Sequence, residues 1–124
     1  MKPRSHLLHL ALIATALCGS AAQAAEPAKN DPKHRSPSID FLSCAKPEYP
    51  ADALKAARTG KVTLNFLIDV DGHVVETQVK RSSGHADLDE AAREGLSKCK
   101  FMVGTQAGVP IQDWTTIQYV WTLK

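Results

Sequence analysis

The sequence has no imbalance of charge where a folded domain would lie. Of its 15 Lys and Arg, Lys2 and Arg4 precede Ala25, which leaves 13 basic side chains against 13 Asp and Glu. Such a balance gives no electrostatic footprint for nucleic acid or anionic lipid, so no nucleic-acid partner is expected. Histidines at ligand spacing are also lacking: His34, His73 and His85 stand apart from one another, and no metal site is expected. Asp69-x-Asp71-Gly72 lacks the further oxygen ligands of a calcium loop, and a tight turn explains it better. Ser82 and Ser83 have neither an adjacent base nor the glycine pattern of a nucleophile elbow. No catalytic site and no cofactor are expected.

What is present begins with an export signal. Lys2 and Arg4 make a positive start, Leu7 to Leu17 is apolar, and Ala22-Gln23-Ala24 puts small residues where a signal peptidase reads. Residues 1–24 are therefore expected to be a signal peptide cleaved before Ala25. The alternative is an uncleaved anchor, since Leu7 to Ala25 is nearly long enough to span a bilayer, though Thr15, Ser20 and Gln23 dilute it. A lipoprotein role for Cys18 is disfavoured by Leu17, where such signals take a small residue. Cleavage leaves Cys44 and Cys99, an even pair that reads in an exported protein as a disulfide. A bridge of that span would stabilise the fold by about 4 kcal/mol on the chain-entropy model. Two independent buried thiols are the alternative.

Residues 25–38 read as a flexible linker, with Pro27, Pro32 and Pro37 among charged and small residues and no apolar periodicity. The domain is expected over residues 39–124, opening with an extended Ile39-Asp40-Phe41-Leu42. Pro50 suits the first turn of a helix whose inner face is Ala53, Leu54 and Ala57, and Gly60 is placed to end it. From Lys61 the period becomes two: Val62, Leu64, Phe66, Ile68 and Val70 point one way, as on a strand with one buried face. Asp71-Gly72 is a hairpin signal, because glycine tolerates the positive φ of the tight turn. The return strand, about His73 to Ser82, puts Val75, Thr77 and Val79 on one face.

Ser82-Ser83-Gly84 ends that strand, and Asp87 with Glu90 reads as a capping box. Leu88, Ala91, Ala92, Gly95, Leu96 and Cys99 form a helical stripe that carries Cys99 towards the core. Gly104 to Pro110 is read as a loop. Thr115 to Leu123 is the last strand, with Ile117, Tyr119, Trp121 and Leu123 inward and Thr116, Gln118 and Thr122 outward. The expected fold is α+β, in the order α-β-β-α-β: two helices on one face of a three-stranded antiparallel sheet of order 2-1-3. That order leaves the last strand at a sheet edge, with one row of main-chain groups unpaired.

Several short patterns recur in order through residues 46–124. They are Pro47-x-Tyr49-Pro50-x-x-Ala53, Gly60-x-Val62, Asp69-x-Asp71-Gly72-x-Val74 and Ser82-Ser83-Gly84. Leu88-Asp89-x-Ala91-Ala92, Lys100-Phe101 and Gly108-x-Pro110 follow. In this order and spacing the region resembles the TonB C-terminal domain. The resemblance implies a domain that links an inner-membrane ExbB–ExbD motor to outer-membrane receptors by grasping an extended peptide at the receptor's N-terminus. It also implies that the peptide adds beside the last strand, near the Pro-x-Tyr-Pro segment. The implied binding residues are Lys46, Pro47, Tyr49, Thr116, Gln118, Val120 and Thr122.

This chain departs from the family at several points. Lys46 stands where the best-known members have Gln, Cys99 where an aromatic residue is common, and Val103 where proline is frequent. Cys44–Cys99 reads as a local substitute for that packing. The segment joining signal to domain reaches on the order of 50 Å when extended, short of the long proline-rich reach usual in TonB proteins. A periplasmic, peptide-binding protein is therefore expected, its partner a TonB-dependent receptor peptide. The alternatives are a short anchored transducer working with ExbB–ExbD, for which Ser5 and His9 would share a helix face as motor contacts, and a homodimerising assembly factor.

Overall fold

The computed structural model describes Gly19 and residues 30–124. Apart from Gly19, the expected signal peptide lies outside the described residues, as do Ser5, His9, Cys18 and the first part of the expected linker. In chain order the elements are β1 (His34–Arg35), β2 (Ser38–Asp40), a 3-10 turn (Phe41–Ser43), α1 (Ala51–Lys55), β3 (Gly60–Ile68) and β4 (Val74–Arg81). They continue with α2 (Ala86–Ser97), β5 (Lys100–Met102), β6 (Gly104–Gln106), β7 (Val109–Ile111) and β8 (Asp113–Trp121).

The alternation along β3 builds the core. Val62, Leu64, Phe66 and Ile68 are fully buried, each stabilising the fold by about 1.5–3 kcal/mol through loss of apolar surface to water. Ala53 of α1, Leu88, Ala92 and Leu96 of α2, Cys99 and Phe101 join the same cluster, as do Ile117 and Trp121 of β8. β3 lies in the middle of an antiparallel sheet of order β4-β3-β8. The fold is α+β with two helices over the apolar face of that sheet.

Two small sheets accompany the main one. β1 pairs with β6 and β6 with β7, and β2 pairs with β5, all antiparallel. The Gly104–Pro110 stretch, read from sequence as a loop, is thus largely a hairpin. The second half of the expected linker is also drawn into the fold: His34 sits opposite Gln106 and Arg35 opposite Thr105. Main-chain pairing and two buried anchors, the His34 ring and Pro37, order a stretch that has no apolar periodicity of its own.

Four local expectations are corrected. β4 shifts register against β3 between Thr63 and Leu64 and again between Leu67 and Ile68. An extra residue reverses the facing of those beyond it, so Val74 packs on the core while Val75 is exposed. The left-handed residue that follows α1 is not Gly60 but Ala57, just past the Ala56 cap, which takes φ 53° as the Arg58 N–H donates to the Ala53 carbonyl at 2.8 Å. Gly60 instead opens β3 at a point where a Cβ would lie 2.6 Å from the Ser83 carbonyl oxygen. Asp87 does not cap α2, because the N-cap is His85, without a side-chain bond, and Asp87 accepts from Arg58 Nη1 at 2.8 Å. Finally, the last strand begins at Asp113 and ends at Trp121, so Thr122 and Leu123 lie beyond it.

Candidate functional site: the open edge of β8

The facing of every peptide group in β8 follows from one bond at the other end of β3. Asp69 N–H donates to the His73 carbonyl at 2.9 Å, so the main-chain groups of Asp69 point across the hairpin towards β4. Peptide groups alternate sides along a strand, so those of Ile68, Phe66, Leu64, Val62 and Gly60 point towards β8. Their partners are Asp113, Thr115, Ile117, Tyr119 and Trp121. The N–H and C=O groups of Trp114, Thr116, Gln118 and Val120 therefore point away from β3, and no described strand lies beyond β8. Trp114 N–H is taken by Asp113 Oδ1 at 2.8 Å. Thr116, Gln118 and Val120 are left as the open donors.

The two edges of the sheet differ. β4 carries two register shifts, the usual device by which an edge avoids pairing. β8 runs opposite β3 from Gly60–Trp121 to Ile68–Asp113 without a shift. On its outer face, Thr116 Oγ1 donates to Asn65 Oδ1 at 2.7 Å. Val120, 55% exposed, lies opposite Lys61 on the same face.

At the end of β8 the edge opens into a groove of about 440 Å³ that brings Lys46, Pro47 and Tyr49 together with Val120 and Thr122. Thr116 and Gln118 are not part of it and lie further back along the strand. A second groove, about 680 Å³, adjoins along Val120–Leu123 and is bounded by Thr59, Gly60 and Lys61. The floor is aromatic: Tyr49 and Tyr119 each meet Trp121 edge-on with ring centroids 4.9 Å apart. Burial pushes the Tyr119 phenol above its ordinary value.

Three contacts hold the Lys46–Tyr49 wall in place. Cys44 and Cys99 form a disulfide with Cα atoms 4.8 Å apart. Gly95 of α2 lies so close to Pro47 that a Cβ would come within 2.8 Å of the proline ring. The Tyr49 hydroxyl donates to the Arg58 carbonyl beyond α1. Sequence reasoning assigned Tyr119 and Trp121 to packing alone, and it passed over Leu54 and Lys61 as site residues. The strand alternation counted back from the Asp71-Gly72 turn is the signal that distinguishes open from paired residues.

Asp69, Asp71 and His73 bring one ligand atom each within 4.8 Å of one another at the hairpin tip. Asp69 Oδ1 accepts from the N–H groups of His73 and Asp71 at 2.8 and 2.9 Å, which accounts for the cluster as a turn. The His73 bond leads the effects that hold the Asp69 carboxyl below its ordinary value.

The profile of the family described as "Gram-negative bacterial TonB protein C-terminal" matches residues 45–123, which take in the open edge and all of the groove lining but Lys124. The chain belongs to this family. Among curated relatives, the protein TonB of Xanthomonas campestris pv. campestris is 39% identical over 62 residues, 50% of this chain and 28% of that protein. TonB2 of Pseudomonas aeruginosa is 31% identical over 82 residues, 66% of this chain and 30% of that protein. This TonB C-terminal domain chain thus spans less than a third of either relative. Among solved structures, the P. aeruginosa TonB C-terminal domain superposes with TM-score 0.56 at 24% identity, covering 77% of this chain and 92% of that one. The Helicobacter pylori domain gives 0.50 at 26% identity, covering 64% and 71%. Among the described residues, no helix is long and apolar enough to cross a membrane.

Proposed function

We propose that this domain works in the periplasm by capturing an extended peptide of an outer-membrane TonB-dependent receptor as an added strand on the free edge of β8. Strand addition takes its affinity from main-chain hydrogen bonds and its selectivity from pockets beside the strand. Both are present: open donors at Thr116, Gln118 and Val120, and the groove between Lys46–Tyr49 and the end of β8. The observation that carries the reading is the contrast between edges, one interrupted twice and the other unbroken and unpaired. Main-chain recognition leaves side chains such as Thr116 and Gln118 permissive, while Lys46, Pro47, Tyr49 and Thr122 shape the groove that the guest's side chains enter. Capture at this edge would connect the protein to transport across the outer membrane.

Val120→Pro tests the reading. Its N–H faces away from β3, so the variant should stay folded and lose at least tenfold in affinity for the N-terminal peptide of a receptor. Tyr119→Pro is the control: it removes a donor to β3 and should unfold the domain. A folded Val120→Pro variant with unchanged affinity retires the site. Sedimentation with and without peptide separates capture from self-pairing of the same edge, because a tight dimer indifferent to peptide would favour self-pairing.

A further inference from the structure

The face of the main sheet turned away from the helices has a cationic end. Val62, Leu64 and Phe66 are fully buried, so the alternation of β3 sends Lys61, Thr63 and Asn65 to the opposite side. Thr63 pairs with Arg81 on β4 and with Gln118 on β8, while Lys61 pairs with Val120. Directly opposed residues share a face, which sets Arg81 and Gln118 on either side of Thr63, their Cβ atoms about 5 Å from its own. Lys61 stands next along the same strand face. From Lys61 to Asn65, and across to their partners on both flanking strands, no Asp or Glu occurs; the first carboxylate is Glu76, opposite Leu67. Neither Lys61 nor Arg81 enters an ion pair among the described residues.

Thr63 makes this more than a pair of surface cations. It is only 8% exposed, although it lies on the uncovered face. One pair further along, the comparable hydroxyl is satisfied, since Thr116 Oγ1 donates to Asn65 Oδ1 at 2.7 Å. The Thr63 hydroxyl has no such partner among the described residues. It is still open to solvent, because the polar side-chain atoms both sealed off and unpartnered are Gln106 Oε1 and Trp121 Nε1. A notch results, with an unused hydroxyl at its floor, a cation and an amide as walls and a second cation at its end.

We infer that this notch binds a phosphate group. Arg81 offers a planar fork that suits two phosphate oxygens, and Lys61 adds a point charge. The Thr63 hydroxyl and the Gln118 amide donate neutral hydrogen bonds. These donors come from three neighbouring strands, and a tetrahedral phosphate can accept from that many directions, whereas the two oxygens of a carboxylate lie in one plane. The inference does not rest on strand addition, because the notch lies on a face of the sheet and an added strand would lie beyond its edge. An anionic phospholipid headgroup and a soluble phosphate ester both present this chemistry, and the test separates them.

Titration of the full exported chain with glycerol 3-phosphate, followed by NMR, should shift Lys61, Thr63, Arg81 and Gln118 together and saturably. Lys61→Ala with Arg81→Ala should weaken binding about tenfold, as expected for two exposed charge contacts. Lys55→Ala with Lys100→Ala removes the same charge elsewhere and should leave binding unchanged. Thr63→Val keeps the shape of the strand residue and should cost a few-fold through the lost hydroxyl. Vesicles of phosphatidylglycerol identify the source. Flotation of the parent but not of the Lys61 and Arg81 variant assigns the phosphate to a lipid headgroup, and glycerol 3-phosphate binding without flotation assigns it to a soluble ester. Equal losses in the two double variants would reduce the effect to general charge attraction and overturn the site. So would the absence of any saturable shift at these four residues.

Discussion

His34 lies against Asp113, Nε2 to Oδ2 at 2.7 Å, although 79 positions separate them in sequence. The imidazole side chain is 1% exposed and the carboxylate 11%. The same carboxylate accepts Trp114 N–H through its other oxygen, so one residue both anchors β1 and seals the start of the β8 edge. His34→Ala should remove the partner of a nearly buried carboxylate and lower unfolding free energy by about 1–3 kcal/mol. Urea unfolding at neutral pH measures it. A loss below a few tenths of a kcal/mol would mean that β1 is an ornament on the domain.

The long elements were legible in the sequence because each has one buried face. β3, the α2 stripe and the inner face of β8 show their periods plainly. The short pairings were not legible: a strand of two or three residues, such as His34–Arg35 or Val109–Ile111, is too brief to show a period. The phase of β4 was lost for a different reason, since a bulge adds one residue and no composition rule announces it. At α2 the sequence offered two acids near the helix start. Asp87 matched the capping pattern, yet Asp89 makes the bonds to the preceding turn because it faces inward. For the site, the order of the elements placed the last strand at an edge, but only the hairpin bond at Asp69 tells which residues stand open.

Asp89 gives the clearest pH dependence. Its carboxylate accepts from the hydroxyls of Ser82 and Ser83 and, at 2.8 Å, from Ser83 N–H. Burial pushes its pKa up, but those bonds more than reverse the effect and hold it below the ordinary 3.8. A carboxylate depressed in the folded state contributes stability fully above its unfolded pKa and loses it as pH falls through the folded one. Asp89→Asn should therefore lower stability at neutral pH by about 1–3 kcal/mol. The variant and parent should converge on acidification below pH 3.8. A constant gap across that range would show that the charge is not what matters.

Ala57 occupies a left-handed position, φ 53°, that glycine takes without a Cβ penalty. Its side chain is exposed, so glycine forfeits little buried surface there. Ala57→Gly should raise unfolding free energy by about 0.5–1 kcal/mol, the strain relieved being larger than the entropy added to the unfolded chain. Thermal unfolding would register this as a rise of a few degrees. A destabilised variant would mean that the turn after α1 relaxes away from this geometry in solution.

The Cys44–Cys99 bond should act on both stability and binding, because of where its ends lie. It joins positions 55 apart, and Cys44 stands just before the Lys46–Tyr49 wall of the groove. Freeing a loop of that length from the unfolded chain's constraint should lower stability by about 4 kcal/mol on the chain-entropy model. Cys44→Ser with Cys99→Ala, compared with the oxidised parent by urea unfolding, measures that share. Under conditions where the variant remains folded, its wall is still held by Gly95 against Pro47 and by the Tyr49 hydroxyl on Arg58. Peptide affinity should then fall by only a few-fold, through extra motion of Lys46. A loss as large as that of Val120→Pro would mean that the bond, rather than the packing, positions the wall.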